Sequence, residues 1–324
     1  MTRLAQKTGS SAAQAGGLSA RRLACALAAI VWALAPARAQ EAGTLAPKPL
    51  PPLARPDDPK TAAKELFARR AAPARMAARS IGFYSRGCLA GGRSLAVDGE
   101  SWQVMRLSRN RNWGHPTLIA AVERIARQAK AEGVWPGLLV GDLSQPRGGP
   151  MLTGHASHQI GLDADVWLTP MPARRLTLAE REDMSAVDMV RADKRDVEAS
   201  LFTPGHLDLL RIAAQQPDVE RVLVNAAIKK ALCRNARGDR SWLAKVRPYW
   251  GHNYHFHLRI ACPAGDPACR AQDPPPQGEG CDASLDWWFT EEALNPKPDP
   301  AWKPKPPLTL AQLPAECRMV LKAD

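Results

Sequence analysis

The chain has 324 residues, of which 44 are lysine or arginine and 32 are aspartate or glutamate, and its formal charge at pH 7 is +12. A basic excess of this kind is typical of proteins that bind acidic polymers. No run of lysine and arginine with interleaved aromatic residues is present, which argues against nucleic acid as the partner. No internal repeat is visible.

Residues 1–39 are predicted to be a signal peptide. Arg21 and Arg22 precede an apolar run over residues 23–35, which is too short to span a bilayer as a mature helix. Ala-Arg-Ala at 37–39 is a cleavage site of the small-x-small type, so we expect the mature chain to begin near Gln40. Cys25 does not follow a lipobox. We therefore expect a periplasmic protein without a stable membrane anchor.

Removal of the signal peptide deletes five basic residues and no acidic ones, so the formal charge falls from +12 to +7. An exported protein rarely meets nucleic acid. A carboxylate-rich peptide of the cell wall is therefore the better candidate partner, and a solvated basic surface without any partner is the alternative.

The first half of the exported chain is predicted to begin with an extended, proline-rich leader over residues 40–60. Pro116 stands at the first-turn position of a clear helix, with apolar residues on one face and Gly133 just past its end. The other elements predicted here are a short helix at 60–72, a loop at 82–92 around Cys88, and strands at 102–107 and 137–143.

The second half alternates strands and helices with irregular segments. Residues 144–154 are too rich in glycine and proline for regular structure. Residues 169–201 form a polar excursion with one short helix, which could fold over a cleft. Thr203 caps a helix that Pro204 begins. The remaining predictions are strands at 160–168, 221–225 and 254–260, a helix at 227–234, and a proline-rich tail interrupted by Trp287-Trp288-Phe289.

These elements predict an α+β fold in a single domain over residues 61–324. Inward aromatic residues alternate with polar positions along the histidine-bearing strands, which is typical of an antiparallel sheet with one covered face. We expect a central, largely antiparallel sheet with flanking helices and long loops. A domain of this size is large enough for a full core.

Six cysteines remain after signal removal, and an even number in an exported protein implies disulfides. Six cysteines allow fifteen pairings, so the count alone does not choose among them. A thiolate metal site is the alternative, but no Cys-x2-Cys spacing is present. The six are Cys88, Cys233, Cys262, Cys269, Cys281 and Cys317.

Five of the seven histidines lie in two short stretches, residues 154–165 and 251–257. Side chains on a strand alternate between faces, so His255 and His257 leave the same face while Phe256 turns into the core. Two carboxylates repeat this pattern in the first stretch, and a sheet carrying both pairs would bring them together. They are Asp163 and Asp165.

Imidazole and carboxylate are ligands that zinc prefers beside thiolate, and a catalytic zinc usually takes three protein ligands and leaves a fourth position for water. His158, Asp165 and His257 can supply that set. A zinc ion bound in this way lowers the pKa of its water toward ~7, which provides a nucleophile for an amide carbonyl at neutral pH.

Two runs of sequence carry a specific resemblance. Residues 154–168 (GHASHQIGLDADVWL) and 250–263 (WGHNYHFHLRIACP) resemble the signature segments of penicillin-insensitive murein endopeptidases. The similarity extends from about Ser80 to Cys317 and includes residues 225–233 (NAAIKKALC). That family belongs to a wider group of zinc peptidases, which includes lysostaphin-type enzymes, D-Ala-D-Ala metallopeptidases and hedgehog-like proteins and shares the pattern His-x6-Asp followed by His-x-His.

The resemblance implies a zinc-dependent endopeptidase that hydrolyses the D-alanyl to meso-diaminopimelyl amide crosslinks of peptidoglycan. In the wider group the first histidine of His-x-His lies beside the zinc, so we expect His255 to move protons. His155 is expected either to be a further metal ligand or to contact one. His252 is expected to bind substrate or bridge to the site, and Asp163 to orient a ligand imidazole.

The resemblance also implies how the cysteines pair. The expected disulfides are Cys88 with Cys317, Cys233 with Cys281, and Cys262 with Cys269. The first of them would tie both ends of the domain together.

Other catalytic classes are disfavoured, because the sequence has no His-Glu-x-x-His, Gly-x-Ser-x-Gly or Ser-x-x-Lys motif. β-Lactams need a serine to acylate, so the missing Ser-x-x-Lys fits insensitivity to penicillin. Two alternatives stay open. One is a zinc D,D- or L,D-carboxypeptidase that trims stem peptides with the same catalytic residues, and the other is a catalytically silent wall-binding module.

Four further polar residues are predicted to lie outside the chemistry. His206 is interpreted as a helix surface residue and His115 as a rim or capping group. Asp193 and Asp196 lie in the polar excursion and could reach a cleft, but a solvated face is the preferred interpretation of both.

Overall fold

The computed structural model describes residues 47–297, 299–301 and 303–324. The predicted signal peptide and the first residues of the predicted leader lie outside this range. Within it, no helix combines the length and apolar character that crossing a membrane requires.

The described residues form a single α+β domain, as predicted. Its strands are β1 (Arg79–Phe83), β2 (Arg86–Ala90), β3 (Arg93–Ser94), β4 (Trp102–Val104), β5 (Trp113–Gly114), β6 (Leu138–Val140), β7 (Asp163–Pro170), β8 (Val219–Val224), β9 (Val246–Pro248) and β10 (His255–Ile260). Its α-helices are α1 (Ala63–Phe67), α2 (Pro116–Ala131), α3 (Leu178–Asp183), α4 (Pro204–Gln215), α5 (Ala226–Asn235), α6 (Ala283–Asp286), α7 (Glu291–Leu294) and α8 (Cys317–Lys322). Short 3-10 turns lie at Leu107–Arg109, Ser241–Lys245, Trp287–Phe289 and Leu310–Gln312.

Six strands form the central sheet, in the order β4-β6-β7-β10-β8-β9. The three inner pairings are antiparallel and the two outer ones are parallel. The sheet is therefore largely antiparallel, as the sequence predicted, and its two histidine- and aspartate-bearing strands, β7 and β10, are direct neighbours at its centre.

The main core lies on one face of this sheet, where α2 and α4 pack. Phe256 and Leu258 of β10 are fully buried in it with Ala164 and Val166 of β7. Burial of a side chain such as Phe256 stabilises the fold by about 2 to 3 kcal/mol relative to exposure. Because neighbouring side chains on a strand alternate between faces, burying these four residues leaves the acidic and histidine positions of β7 and β10 on the opposite face.

The predicted loop at 82–92 is wrong, because residues 79–90 form the antiparallel hairpin β1–β2. Glycine suggested a loop here, yet Gly87 serves close packing within a strand. A Cβ atom at this position would collide with the carbonyl oxygen of Ile81 on the paired strand. The glycine therefore allows pairing instead of interrupting it.

His206 is also not the surface residue that was predicted. It lies in the first turn of α4 and is only 3% exposed. Its Nδ1 accepts a hydrogen bond of 3.0 Å from the backbone N–H of Thr203 and its Nε2 donates one of 2.9 Å to Leu168 O. The ring takes the position that glutamate occupies in a capping box and so becomes part of the core. His115 is a capping group, as predicted: it precedes α2, and its Nδ1 accepts from the Thr117 N–H.

The three expected disulfides are all present: Cys88–Cys317, Cys233–Cys281 and Cys262–Cys269. The first joins β2 to α8 and spans 229 positions of the sequence. In the polar excursion, Asp193 pairs with Arg191 and Asp196 pairs with Arg234. Asp193 is exposed, in agreement with its preferred interpretation, whereas Asp196 is only partly exposed and its carboxylate is bound by Arg234.

Candidate active site

The register between β7 and β10 brings the two histidine clusters together. His257 lies directly opposite Asp165, and Arg259 lies opposite Asp163. Phe256 and Leu258, the neighbours of His257 in β10, face the core. The predicted convergence of the two stretches on one face of the sheet is therefore observed.

Asp165 is the centre of the site, because each of its two oxygens faces two imidazoles. Oδ1 lies 3.4 Å from His158 Nε2 and 3.3 Å from His257 Nδ1. Oδ2 lies 3.4 Å from His155 Nδ1 and 3.7 Å from His255 Nε2. Four of the five clustered histidines thus converge on one buried carboxylate.

Hydrogen bonds on the far side of two rings fix which nitrogen carries a proton. His158 donates from Nδ1 to Leu143 O at 2.6 Å, and His257 donates from Nε2 to Asp163 Oδ1 at 2.9 Å. In a neutral imidazole the other nitrogen then has a free lone pair. For both histidines that nitrogen is the one facing Asp165 Oδ1, which is the arrangement that a metal ion requires.

Asp163 holds this arrangement from beneath. Its carboxylate is fully buried and accepts from the backbone N–H of His158 at 2.9 Å and from Arg259 Nε at 2.6 Å, besides the bond from His257. Burial opposes its ionisation, yet Arg259 and His257 keep the pKa of Asp163 far below its usual range. His158 has a φ of 65°, an uncommon conformation for a residue other than glycine, and its bond to Asp163 helps to hold it there.

The site has the ligand atoms that bind a cation, and some of them lack hydrogen-bond partners among the described residues. His158 Nε2 and Asp165 Oδ1 are buried and make no hydrogen bond among the described residues. Among the described residues, Asp165 forms ion pairs with histidines alone, whereas Asp163 also forms one with Arg259. Burial favours a neutral His257, yet Asp163 and Asp165 raise its pKa to about 9, so the site attracts positive charge. One ligand atom each from His155, His158 and Asp165 lie within 4.8 Å of one another, a spacing that can hold a metal ion.

His255 and His252 lie at the edge of this group. His255 is mostly buried, and burial lowers its pKa; its Nδ1 is buried without a hydrogen-bond partner among the residues described. The His252 ring centroid lies 4.9 Å from that of His255, and its Nδ1 donates to Trp250 O at 2.8 Å. Burial lowers the pKa of His252 to about 4, so its Nε2 is a free acceptor at neutral pH.

Three residues of the site were not anticipated from the sequence: Asp142, Arg109 and Arg111. Asp142 is buried just past β6, and its Oδ2 accepts from His155 Nε2 at 3.1 Å, from Arg109 at 3.1 Å and from Arg111 at 2.8 Å. Burial opposes its charge, but His155 and the two arginines hold the pKa of Asp142 well below its usual range. A lone aspartate near the end of the apolar strand predicted at 137–143 was the one available signal.

Two hollows adjoin the segment that carries the second histidine cluster. One has a volume of about 530 Å³ and is lined by His155, Asp165 and His255, with Arg109 on its wall. The other has a volume of about 420 Å³ and is lined by Gly251, Asn253 and the aromatic rings of Tyr249, Trp250 and Trp288.

The model of one protein family, described as penicillin-insensitive murein endopeptidase, matches residues 80–322 of this chain. The chain belongs to the penicillin-insensitive murein endopeptidase family. The match includes both histidine clusters, Asp142 and all six disulfide cysteines.

Individual relatives agree with this assignment. A penicillin-insensitive murein endopeptidase of Haemophilus influenzae is 43% identical over 246 residues, covering 76% of this chain and 83% of the relative. Enzymes of the same name from Klebsiella pneumoniae and Escherichia coli are 41% and 42% identical, and each alignment covers 75% of this chain and 86% of the relative. The chain is therefore a peptidase, and its histidine-rich site is the candidate active site.

Proposed function

We propose that this protein is a periplasmic, zinc-dependent murein endopeptidase that hydrolyses the D-alanyl to meso-diaminopimelyl amide crosslink of peptidoglycan. The observation that carries the proposal is a pair of buried atoms, His158 Nε2 and Asp165 Oδ1, that have no hydrogen-bond partner among the described residues. His257 Nδ1, which has a free lone pair once the imidazole is neutral, faces the same carboxylate oxygen. The relatives named above are all murein endopeptidases.

His158, Asp165 and His257 would hold the zinc ion. Two imidazoles and one carboxylate form a ligand set that favours zinc over harder cations such as magnesium. Zinc in such a site supplies a Lewis acid and lowers the pKa of water. The two imidazoles are already oriented for the ion, because Leu143 O and Asp163 accept hydrogen bonds from the ring nitrogens on their far sides.

His255 is assigned to proton transfer. Its Nε2 faces the second oxygen of Asp165, away from the oxygen that His158 and His257 share. The ring lines the larger hollow, where a substrate amide can approach it. A neutral imidazole here accepts a proton from water and delivers one to the leaving amine nitrogen. His252, with its free Nε2, is assigned to hydrogen bonding with substrate at the same edge.

The contacts of His155 limit it to two roles. Its Nδ1 lies near Asp165 Oδ2 while Asp142 holds its Nε2. It is therefore oriented either to be an additional ligand or to contact the ligand Asp165 without binding the ion. X-ray absorption spectroscopy of the zinc-saturated wild type and of a zinc-saturated His155→Ala variant decides between the two, since only loss of a ligand lowers the number of imidazole nitrogens around the ion.

The two hollows favour an endopeptidase over a carboxypeptidase. A crosslink has chain on both sides of the scissile amide, whereas a stem peptide ends just beyond it. The hollow at His255 and the hollow at Gly251 and Asn253 adjoin the same histidine-bearing segment, so substrate can extend in two directions.

The test is digestion of purified muropeptides by the mature protein with zinc, with zinc removed by a chelator, and with zinc restored. We expect crosslinked dimers to become monomers in the first and third samples and not in the second. Release of free D-alanine from pentapeptide monomers, with dimers left intact, would identify a carboxypeptidase. Binding to the wall without either reaction would identify a silent module.

A further inference from the structure

We propose that Arg109 binds a free carboxylate of the substrate, the one that the diaminopimelyl residue carries on the same carbon as the scissile amide nitrogen. This inference rests on the proposed function and adds which group beside the scissile bond is recognised. It follows from the wall of the larger hollow, opposite the histidines.

Three arginines, Arg106, Arg109 and Arg111, line this hollow together with two carboxylates, Asp142 and Asp165. The arginines outnumber the carboxylates before any metal ion is counted. A concave site with an excess of one charge concentrates ligands of the opposite charge. The hollow therefore suits an anionic group of the substrate.

Two of the three guanidinium groups are already committed to the protein. Arg106 lies over the ring of Trp167, 5.5 Å from its centroid, and donates to Met184 O at 2.8 Å. Arg111 is only 10% exposed and divides its terminal nitrogens between Asp142 and Thr153. In both groups the two terminal nitrogens already have partners among the described residues.

Arg109 differs in this respect. Its side chain is 47% exposed and one terminal nitrogen donates to Asp142 Oδ2 at 3.1 Å. Its Nε and its other terminal nitrogen make no hydrogen bond among the described residues. Arginine binds a carboxylate best through two parallel N–H groups, and these two nitrogens form such a pair.

The backbone of the turn that carries Arg109 is held in place by its conformation and by Glu182. Left-handed residues flank it, with a φ of 56° at Arg106 and 52° at Asn110. Glu182 accepts from the backbone N–H of Ser108 at 2.7 Å and from its hydroxyl at 2.8 Å. Non-glycine residues take this conformation at a cost, which the surrounding structure must offset. The guanidinium is thereby presented at the hollow from a fixed backbone.

Arg109 also lies close to the histidines of the site. Its terminal nitrogen and His155 Nε2 donate to the same oxygen of Asp142. The guanidinium and a site histidine are therefore neighbours on one carboxylate. In diaminopimelate the amine of the crosslink and a carboxylate share one carbon. When His255 delivers a proton to that nitrogen, the carboxylate must lie in the hollow that His255 and Arg109 both line.

The experiment compares two crosslinked muropeptide dimers, one with this carboxylate free and one with it converted to the carboxamide. We expect the wild-type protein to prefer the free carboxylate by a factor on the order of 10 to 100 in kcat/KM, as for one charge-assisted bidentate contact. Arg109→Gln should bring the ratio of the two kcat/KM values close to one. Arg127→Gln, which removes an exposed arginine of α2 that pairs with Glu123, should keep the wild-type ratio.

The outcomes are distinguishable. If Arg109→Gln lowers both kcat/KM values by the same factor and keeps the ratio, Arg109 acts only by holding Asp142 and the inference is overturned. Equal cleavage of both dimers by wild type also overturns it and leaves the proposed function standing. If wild type cleaves neither dimer, the proposed function fails and the inference fails with it.

Discussion

His257 lies opposite Asp165 in the register of β7 and β10, and its Nδ1 stands 3.3 Å from Asp165 Oδ1. This one pairing joins clusters that are 92 positions apart in sequence. Because a slip of one residue would turn His257 to the core face, the apolar packing of Phe256 and Leu258 also fixes the geometry of the site.

The first prediction concerns metal content. Purified mature protein should carry about one equivalent of zinc. His257→Ala should lose most of it, because two ligand side chains then remain of the three assigned. Elemental analysis of both proteins is the measurement. An active wild-type protein free of metal would contradict the assignment.

The second prediction separates the two histidines of His-x-His. His255→Ala should retain zinc and lose dimer cleavage by a factor on the order of 10² to 10⁴, the usual contribution of a general acid or base. His257→Ala should lose both. Zinc stoichiometry and dimer cleavage are measured on the same preparations. A His255→Ala protein without zinc would mean that the roles of the pair are assigned wrongly.

The third prediction concerns Asp163, which orients His257. Asp163→Asn should weaken zinc binding by about 10-fold to 100-fold, as for other carboxylates that hold a ligand imidazole. Asp193→Asn is a matched control, because Asp193 is exposed, pairs with Arg191 and accepts from the backbone N–H of Arg195, away from the histidines. Chelator competition gives the zinc affinity of each variant. Equal affinities in the two variants would remove Asp163 from the site.

The sequence predicted that these histidines and aspartates share one face of a sheet, because strand periodicity acts locally. The spacing of His255 and His257, and of Asp163 and Asp165, needs only a strand to place each pair on one face. Arg259 continues the same spacing and could have been included.

Asp142 and Arg109 were missed for the opposite reason. They meet through contacts between an irregular turn and the end of β6, and neither has a periodic partner. His206 failed similarly, since its capping role depends on how Thr203 enters the helix and on Leu168 across the fold. Residues whose role is created by tertiary contacts leave no spacing pattern to read.

The fourth prediction concerns the disulfides. Thiol titration of the denatured, unreduced mature protein should find no free cysteine. Replacing Cys88 and Cys317 together by serine should cost roughly 5 kcal/mol of unfolding free energy, and replacing Cys262 and Cys269 roughly 2.5 kcal/mol, because the first pair closes a far longer loop in the unfolded chain. Denaturant unfolding measures both. A larger loss from the second pair would show that native packing, and not loop length, dominates.

The last prediction concerns Lys229, which is fully buried in α5. Its Nζ donates to Leu243 O at 2.7 Å and to Glu279 O at 2.6 Å. Burial lowers its pKa to about 7, with Arg247 and Arg240 acting in the same direction and Glu279 and Asp282 acting against it. A neutral amine still has two N–H groups, enough for both carbonyls.

Because the pKa of Lys229 is lower in the folded protein than in the unfolded chain, the unfolded chain binds more protons between pH 7 and about 10.4. The lysine therefore destabilises the fold below pH 7, and this penalty is lifted as the pH rises through that window. Relative to Lys229→Met, the unfolding free energy of wild type should rise by about 1 kcal/mol per pH unit there. Lys230→Met is the matched control, since Lys230 is partly exposed, donates to Arg195 O and lies over the Phe289 ring, and it should leave the slope unchanged. Denaturant unfolding of the three proteins at pH 7, 8 and 9 is the measurement, and a wild-type slope equal to that of Lys229→Met would show that Lys229 keeps its charge in the core.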